Sequence, residues 1–209
     1  LFLPTGGTTL TPLAGEGYQG SIGWTHGDGS KIVWAQDKTE WGGSRVVVYD
    51  LDTGTQKRID PQPGVKGDQW MPRIQGNQIV WVDHRNDPSG NRFKPRNSDI
   101  YHHDLSTGKT TAITTHAARQ ERPDVYGDWV VWHDLRYTAT GVSGSRLAIF
   151  VKNTKTGQEV EIADGMKKEG YPRIDRDRVF YRARDDGNKI WAIFRVDLKT
   201  FLAAQKSKP

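Results

Sequence analysis

Apolar residues along the chain fall in short runs divided by polar stretches rich in Gly, Pro, Asp and Thr, and no segment carries the 3.6-residue apolar period of an amphipathic helix. The runs predict strands. In Gln78-Ile79-Val80-Trp81-Val82 both alternating faces are apolar, the pattern of a strand covered on both sides.

The runs repeat. Ile32-Val33-Trp34, Ile79-Val80-Trp81 and Val130-Val131-Trp132 recur with Val179-Phe180-Tyr181 as a degenerate fourth, at intervals of 47 to 51 residues. Pro72-Arg73-Ile74, Pro123-Asp124-Val125 and Pro172-Arg173-Ile174 precede the last three. Tyr49-Asp50-Leu51-Asp52-Thr53-Gly54, His103-Asp104-Leu105-Ser106-Thr107-Gly108, Lys152-Asn153-Thr154-Lys155-Thr156-Gly157 and Val196-Asp197-Leu198-Lys199-Thr200 follow.

Each unit decomposes into a short strand after the Pro, a longer strand around the Trp, a third ending at Asp-Leu and a fourth after Thr-Gly, where Gly accepts the positive φ of a tight turn. Four short antiparallel strands per period predict an all-β fold, a β-propeller of four-stranded antiparallel blades with four blade units. The units span about 15–65, 66–116, 117–166 and 167–200 within a single domain, 1–209, and 201–209 is a tail. The N-terminal segment, 5–14, resembles a fourth strand, and the last unit stops after its third. Either the N-terminal strand completes the last blade and closes the ring, or it is the tail of a further upstream blade. A start at Leu1 implies a processed form or a piece of a longer protein.

Composition adds constraints. Eight Trp against two Met place apolar burial on aromatic and β-branched side chains. The absence of Cys removes disulfides, thiolate metal sites and Cys nucleophiles. No apolar run approaches the roughly 18 residues of a membrane-spanning helix. The net charge of +5 suits an anionic partner. The densest basic stretch, 167–184, is interrupted by Glu169, Asp175 and Asp177, which makes it a solvated mixed-charge surface and speaks against nucleic acid.

Pro-x-Ile-x-Gly-x-x-Ile-Val-Trp-x-Asp-x-Arg, then Asp-Ile-Tyr-x-x-Asp-Leu-x-Thr-Gly, resembles the repeat of the TolB-like propellers of prokaryotic periplasmic and cell-surface proteins. The unit holding Pro72, Ile74, Gly76, Trp81, Asp83, Arg85, Asp99, Tyr101, Asp104 and Gly108 matches best; Asp134 and Arg136 keep the motif in the next. The resemblance implies an extracellular, cell-surface or periplasmic location, and it spans docking platforms, carbohydrate-handling domains and parts of hydrolases or lyases.

Strand direction alternates within a blade, so the connections between second and third strands share one face with the links between blades. Those connections, 38–44, 86–98 and 137–145, are long and varied, whereas the Thr-Gly turns opposite are tight. Binding is usually built on such loops. They carry Trp41, Arg92, Phe93, Lys94, Arg96 and Tyr137, aromatic and cationic groups that suit an acidic glycan or an acidic protein surface.

Asp83-x-Arg85 and Asp134-x-Arg136 lie at the same rim, and their recurrence in successive units favours ion pairs that hold the blade. A carbohydrate-active enzyme is the rival, a lyase or glycosidase with Asp83, Asp134, Asp37 and His133 around a central pocket. His84 and His133 are one register apart and point to opposite faces, which argues against a shared metal. No nucleophile elbow, phosphate loop or zinc-protease motif is present. No cofactor motif is evident, and a bound calcium or other cation is left open. The reading favours a non-enzymatic binding or scaffold module for a protein or anionic polysaccharide; self-association through terminal strands is a third option.

Overall fold

A computed structural model describes residues 13, 22–38, 43–59, 67–88, 97–138, 147–163, 170–185 and 190–206. The chain forms four consecutive antiparallel sheets, each a run of neighbouring strands in sequence order. The first holds β1 (Ile22–Asp28), β2 (Lys31–Lys38), β3 (Gly43–Asp50) and β4 (Thr55–Arg58). The second holds β5 (Gln69–Gln75), β6 (Gln78–Asp83), β7 (Asp99–Asp104) and β8 (Lys109–Ala112). The third holds β9 (Gln120–Tyr126), β10 (Trp129–Asp134), β11 (Ala148–Asn153) and β12 (Glu159–Ala163), and the fourth holds β13 (Gly170–Asp175), β14 (Arg178–Asp185) and β15 (Ile190–Asp197). A helix, α1 (Leu198–Lys206), follows.

The sheets stack through three apolar layers. Val33, Val46, Val48 and Ile59 of the first blade meet Ile74, Ile79 and Trp81 of the second. Val80, Val82 and Ile100 of the second meet Val125, Val130, Trp132 and Phe150 of the third. Val131, Ile149, Val151 and Ile162 of the third meet Ile174, Val179 and Leu198. Strands β6 and β10 contribute to the layers on both sides, which is why their apolar pattern has no wet face.

The turns explain one departure from the sequence reading. Asp50 Oδ1 accepts the backbone N–H groups of Asp52 and Thr53, and Asn153 Oδ1 accepts those of Lys155 and Thr156. Gly54, Gly108 and Gly157 then take φ of 67°, 69° and 75° and return an N–H to the carbonyls of Asp50, Asp104 and Asn153. In the fourth blade Asp197 Oδ1 accepts the Thr200 N–H at 3.0 Å, but no glycine follows. The side chain that opens a hairpin elsewhere becomes a helix N-cap, so the chain continues as α1, with Phe201 packed on the third apolar layer, where the sequence predicts a strand ending at Thr200 and a tail. Closure of the ring rests on the segment 5–14, of which only Leu13 lies among the described residues.

A second departure concerns the prolines. Pro72, Pro123 and Pro172 lie inside β5, β9 and β13, not ahead of them. Each sits in a β-bulge, where pairing with the second strand shifts register and the missing proline N–H breaks no ladder bond. The described residues contain no helix long and apolar enough to cross a membrane.

Candidate functional site

The N-terminal ends of the inner strands pair with the C-terminal ends of the second strands: Ile22 with Gln36, Gln69 with Asp83, Gln120 with Asp134 and Gly170 with Arg182. The long connections leave from those ends. The mouth of the propeller axis and the rim motifs therefore share one face.

At the rim, Asp83 and Asp134 are 1% and 0% exposed. Asp83 Oδ2 accepts the Trp81 indole N–H at 2.8 Å, Arg85 Nη2–H at 2.7 Å and Gln69 Nε2–H at 3.3 Å. Its Oδ1 accepts Arg85 Nε–H and the Arg85 backbone N–H, at 2.8 and 2.9 Å. Asp134 accepts the Trp132 indole at 3.0 Å, Arg136 Nη2–H at 2.8 Å and the Arg136 backbone at 2.8 Å. Each arginine also lies over the ring of a facing strand, Arg85 over Tyr101 at 4.0 Å and Arg136 over Phe150 at 3.8 Å. Those rings in turn stack on Trp81 and Trp132. The motif is a closed unit of indole, carboxylate, guanidinium and ring within one blade.

His84 and His133 are both buried. Burial lowers the pKa of each and keeps the rings neutral near pH 7. His133 Nε2 lies 3.4 Å from Glu121 Oε2. Burial pushes the Glu121 carboxyl up, but His133 and the Arg119 guanidinium outweigh it and bring it to about 2. Tyr137 is exposed and its hydroxyl donates to Glu161 Oε2 at 2.7 Å. Asp37 belongs to β2, opposite Ser44. Trp41, Arg92, Phe93, Lys94 and Arg96 lie outside the described residues.

Asp99 is a buried acid to which the sequence reading assigns no site role. It pairs across the ladder with Asp83, and its Oδ2 accepts Asn86 Nδ2–H at 2.7 Å while its Oδ1 is buried without a hydrogen-bond partner. Burial, together with the Asp83 charge, raises its pKa to about 6.

The sequence reading also missed the mouth itself. In each inner strand one non-glycine residue of the bulge occupies the left-handed region: Trp24, Met71, Arg122 and Tyr171, with φ of 54°, 50°, 55° and 56°. The four left-handed positions occupy the same place in four blades, where each inner strand bulges away from its neighbour. The position before the recurring Pro was the available signal in three of the four.

No protein-family model matches the sequence, and no curated protein matches it at a significant level. Solved structures do match. The putative TolB of Agrobacterium tumefaciens shares 17% identity over 81% of this chain and 58% of its own, with a TM-score of 0.58. The β-propeller domain of the Trilobed protease from Pyrococcus furiosus shares 15% identity over 84% of this chain and 54% of its own, with a TM-score of 0.59. A prolyl endopeptidase shares 20% identity over 85% of this chain and 27% of its own, with a TM-score of 0.61. At these identities the likeness establishes the fold, a TolB-like β-propeller. The chain spans 58% of the length of the TolB structure.

Proposed function

We propose that the chain is a non-enzymatic binding or scaffold module that takes an acidic protein or anionic glycan on its long-loop face. The observation that carries this reading is the contrast at that face: the rim carboxylates Asp83 and Asp134 are buried and saturated by donors of their own blades, while the axial mouth beside them presents aromatic and cationic side chains on strained backbone. A glycosidase or lyase needs carboxylates open to substrate, and a carboxylate already accepting from an indole, an arginine and a backbone N–H has little left to offer. The TolB and peptidase propellers it resembles fit a docking role. An envelope location suits such a module.

Arrays of neutral and acidic glycans and of acidic peptides, probed with the intact chain, test this reading, with bound glycans then assayed for new reducing ends or unsaturated products. Saturable binding without product is expected. Turnover that Asp83→Asn abolishes in a still-folded chain, or no binding to any array ligand, would overturn it.

A further inference from the structure

The mouth contains a continuous ladder of rings and guanidinium groups drawn from all four blades. Trp70 of the second blade meets Trp24 of the first edge to face, with centroids 6.1 Å apart. Arg122 of the third blade lies 6.0 Å from the Trp24 ring and 3.9 Å from the Tyr171 ring of the fourth. Arg182 lies 3.9 Å from the Tyr171 ring and 4.5 Å from the Trp191 ring. The first and third blades are not neighbours in the stack, so side chains that meet between them must do so at the axis.

Three features of the ladder point to a ligand. First, Trp24, Tyr171 and Trp191 remain 41%, 40% and 46% exposed, so the largest apolar surfaces of the mouth face solvent. Second, two guanidinium groups share one ring, and neither Arg122 nor Arg182 has a carboxylate partner among the described residues. Among the described residues the nearby acids are taken: Glu121 by Arg119 and His133, and Asp124 by the Ile174 backbone N–H, with Arg73 and Arg173 beside it. Third, Trp24, Arg122 and Tyr171 are three of the four inner-strand residues held in the left-handed conformation, Met71 being the fourth.

A guanidinium stacked on a ring has its face covered and its planar N–H edges free, which is the geometry for two-pronged bonding to a carboxylate. Exposed indole faces receive the C–H faces of sugar rings. We propose that Trp24, Arg122, Tyr171, Arg182 and Trp191 form a binding site for a carboxylated polysaccharide, with sugar rings on the indoles and uronate carboxylates on the two arginines. The ladder alternates flat apolar faces with planar donors, as such a chain alternates rings with carboxylates. This assignment rests on the binding role proposed above and names its ligand class.

Titration of intrinsic tryptophan fluorescence with polygalacturonate tests it, with fully methyl-esterified polygalacturonate and poly-glutamate as comparison arms. Saturable binding is expected with polygalacturonate, at least tenfold weaker with each of the other two. Arg122→Gln with Arg182→Gln should weaken it at least tenfold while the melting temperature holds. Should that pair unfold, Arg122→Lys with Arg182→Lys, which keeps the charge and loses the fork, should still weaken it several-fold. Equal or tighter binding of poly-glutamate would overturn the ligand class, and affinity unchanged in the folded arginine variants would overturn the site. Either result leaves the binding role standing, as does an array ligand bound by a chain that ignores polygalacturonate, which would also overturn the assignment. An empty array removes both.

Discussion

The indole Nε1–H of Trp81 donates a 2.8 Å hydrogen bond to Oδ2 of Asp83, two residues along the same strand, and Trp132 repeats the bond to Asp134 in the next blade. A two-residue offset in a strand puts both side chains on one face, so the tryptophan fills the layer between blades while its polar edge finds an acceptor at the rim. The first blade keeps the arrangement with an amide, Trp34 donating to Gln36 Oε1 at 3.0 Å. In the fourth blade the indole and its acceptor are replaced together, by Tyr181 and the buried Ala183.

From this follows a stability prediction. Asp83→Ala leaves the Trp81 indole N–H, the Gln69 amide and the Arg85 guanidinium without their acceptor in a buried place. Removing one partner of a buried, hydrogen-bonded ion pair costs about 3–5 kcal/mol. Urea denaturation of the variant should show a loss of that order, against a much smaller one for the exposed Tyr137→Phe.

Asp99 predicts a pH dependence. Its carboxyl titrates near 3.8 in the unfolded chain and is raised to about 6 in the fold, so between those values the folded state holds the proton more firmly. Its contribution is therefore most favourable below about pH 4, falls as pH rises through about 6 and is constant above. Two units correspond to roughly 3 kcal/mol as an upper bound. Asp99→Asn should be more stable than the parent chain at pH 8, and the difference should vanish near pH 4. Thermal melting at the two pH values is the check.

The left-handed residues predict a contrast between two small substitutions. Both Arg122→Gly and Arg122→Ala remove the stack on Tyr171, but only glycine adopts a φ of 55° without a steric penalty. Chemical denaturation should find Arg122→Gly the more stable by about 1 kcal/mol.

The cap of α1 predicts a local effect. Replacing Asp197 by Ala removes the acceptor of the Thr200 N–H and leaves a donor of the first turn without its cap. Hydrogen exchange should quicken across 198–206 and stay unchanged in β6 and β10.

How much of this was legible in the sequence depended on whether a position repeats. Trp34, Trp81 and Trp132, the Asp-x-Arg pairs and the Thr-Gly turns do the same physical task in the blades that carry them, so they recur as the same letters and reveal the propeller. The mouth could not be found that way. Trp24, Met71, Arg122 and Tyr171 share a backbone conformation and a location but no side-chain type, because each contributes a different piece to one asymmetric ladder. Arg182 joins that ladder from β14, inside the 167–184 stretch whose letters suggest a mixed-charge surface, and Trp191 joins it from β15. The helix was hidden for a third reason. Its start reuses the Asp that opens the hairpins, and what differs is the missing glycine after Thr200.

The central claim separates the rim from the mouth, the first holding the blades and the second holding a ligand. Its most direct test compares two double variants, Asp83→Asn with Asp134→Asn and Arg122→Gln with Arg182→Gln, for melting temperature and for affinity towards polygalacturonate. The account predicts that the aspartate pair lowers the melting temperature and leaves the affinity of the folded chain within about twofold, whereas the arginine pair leaves melting unchanged and weakens binding at least tenfold. The opposite assignment, with affinity lost in the aspartate pair and stability lost in the arginine pair, would contradict it.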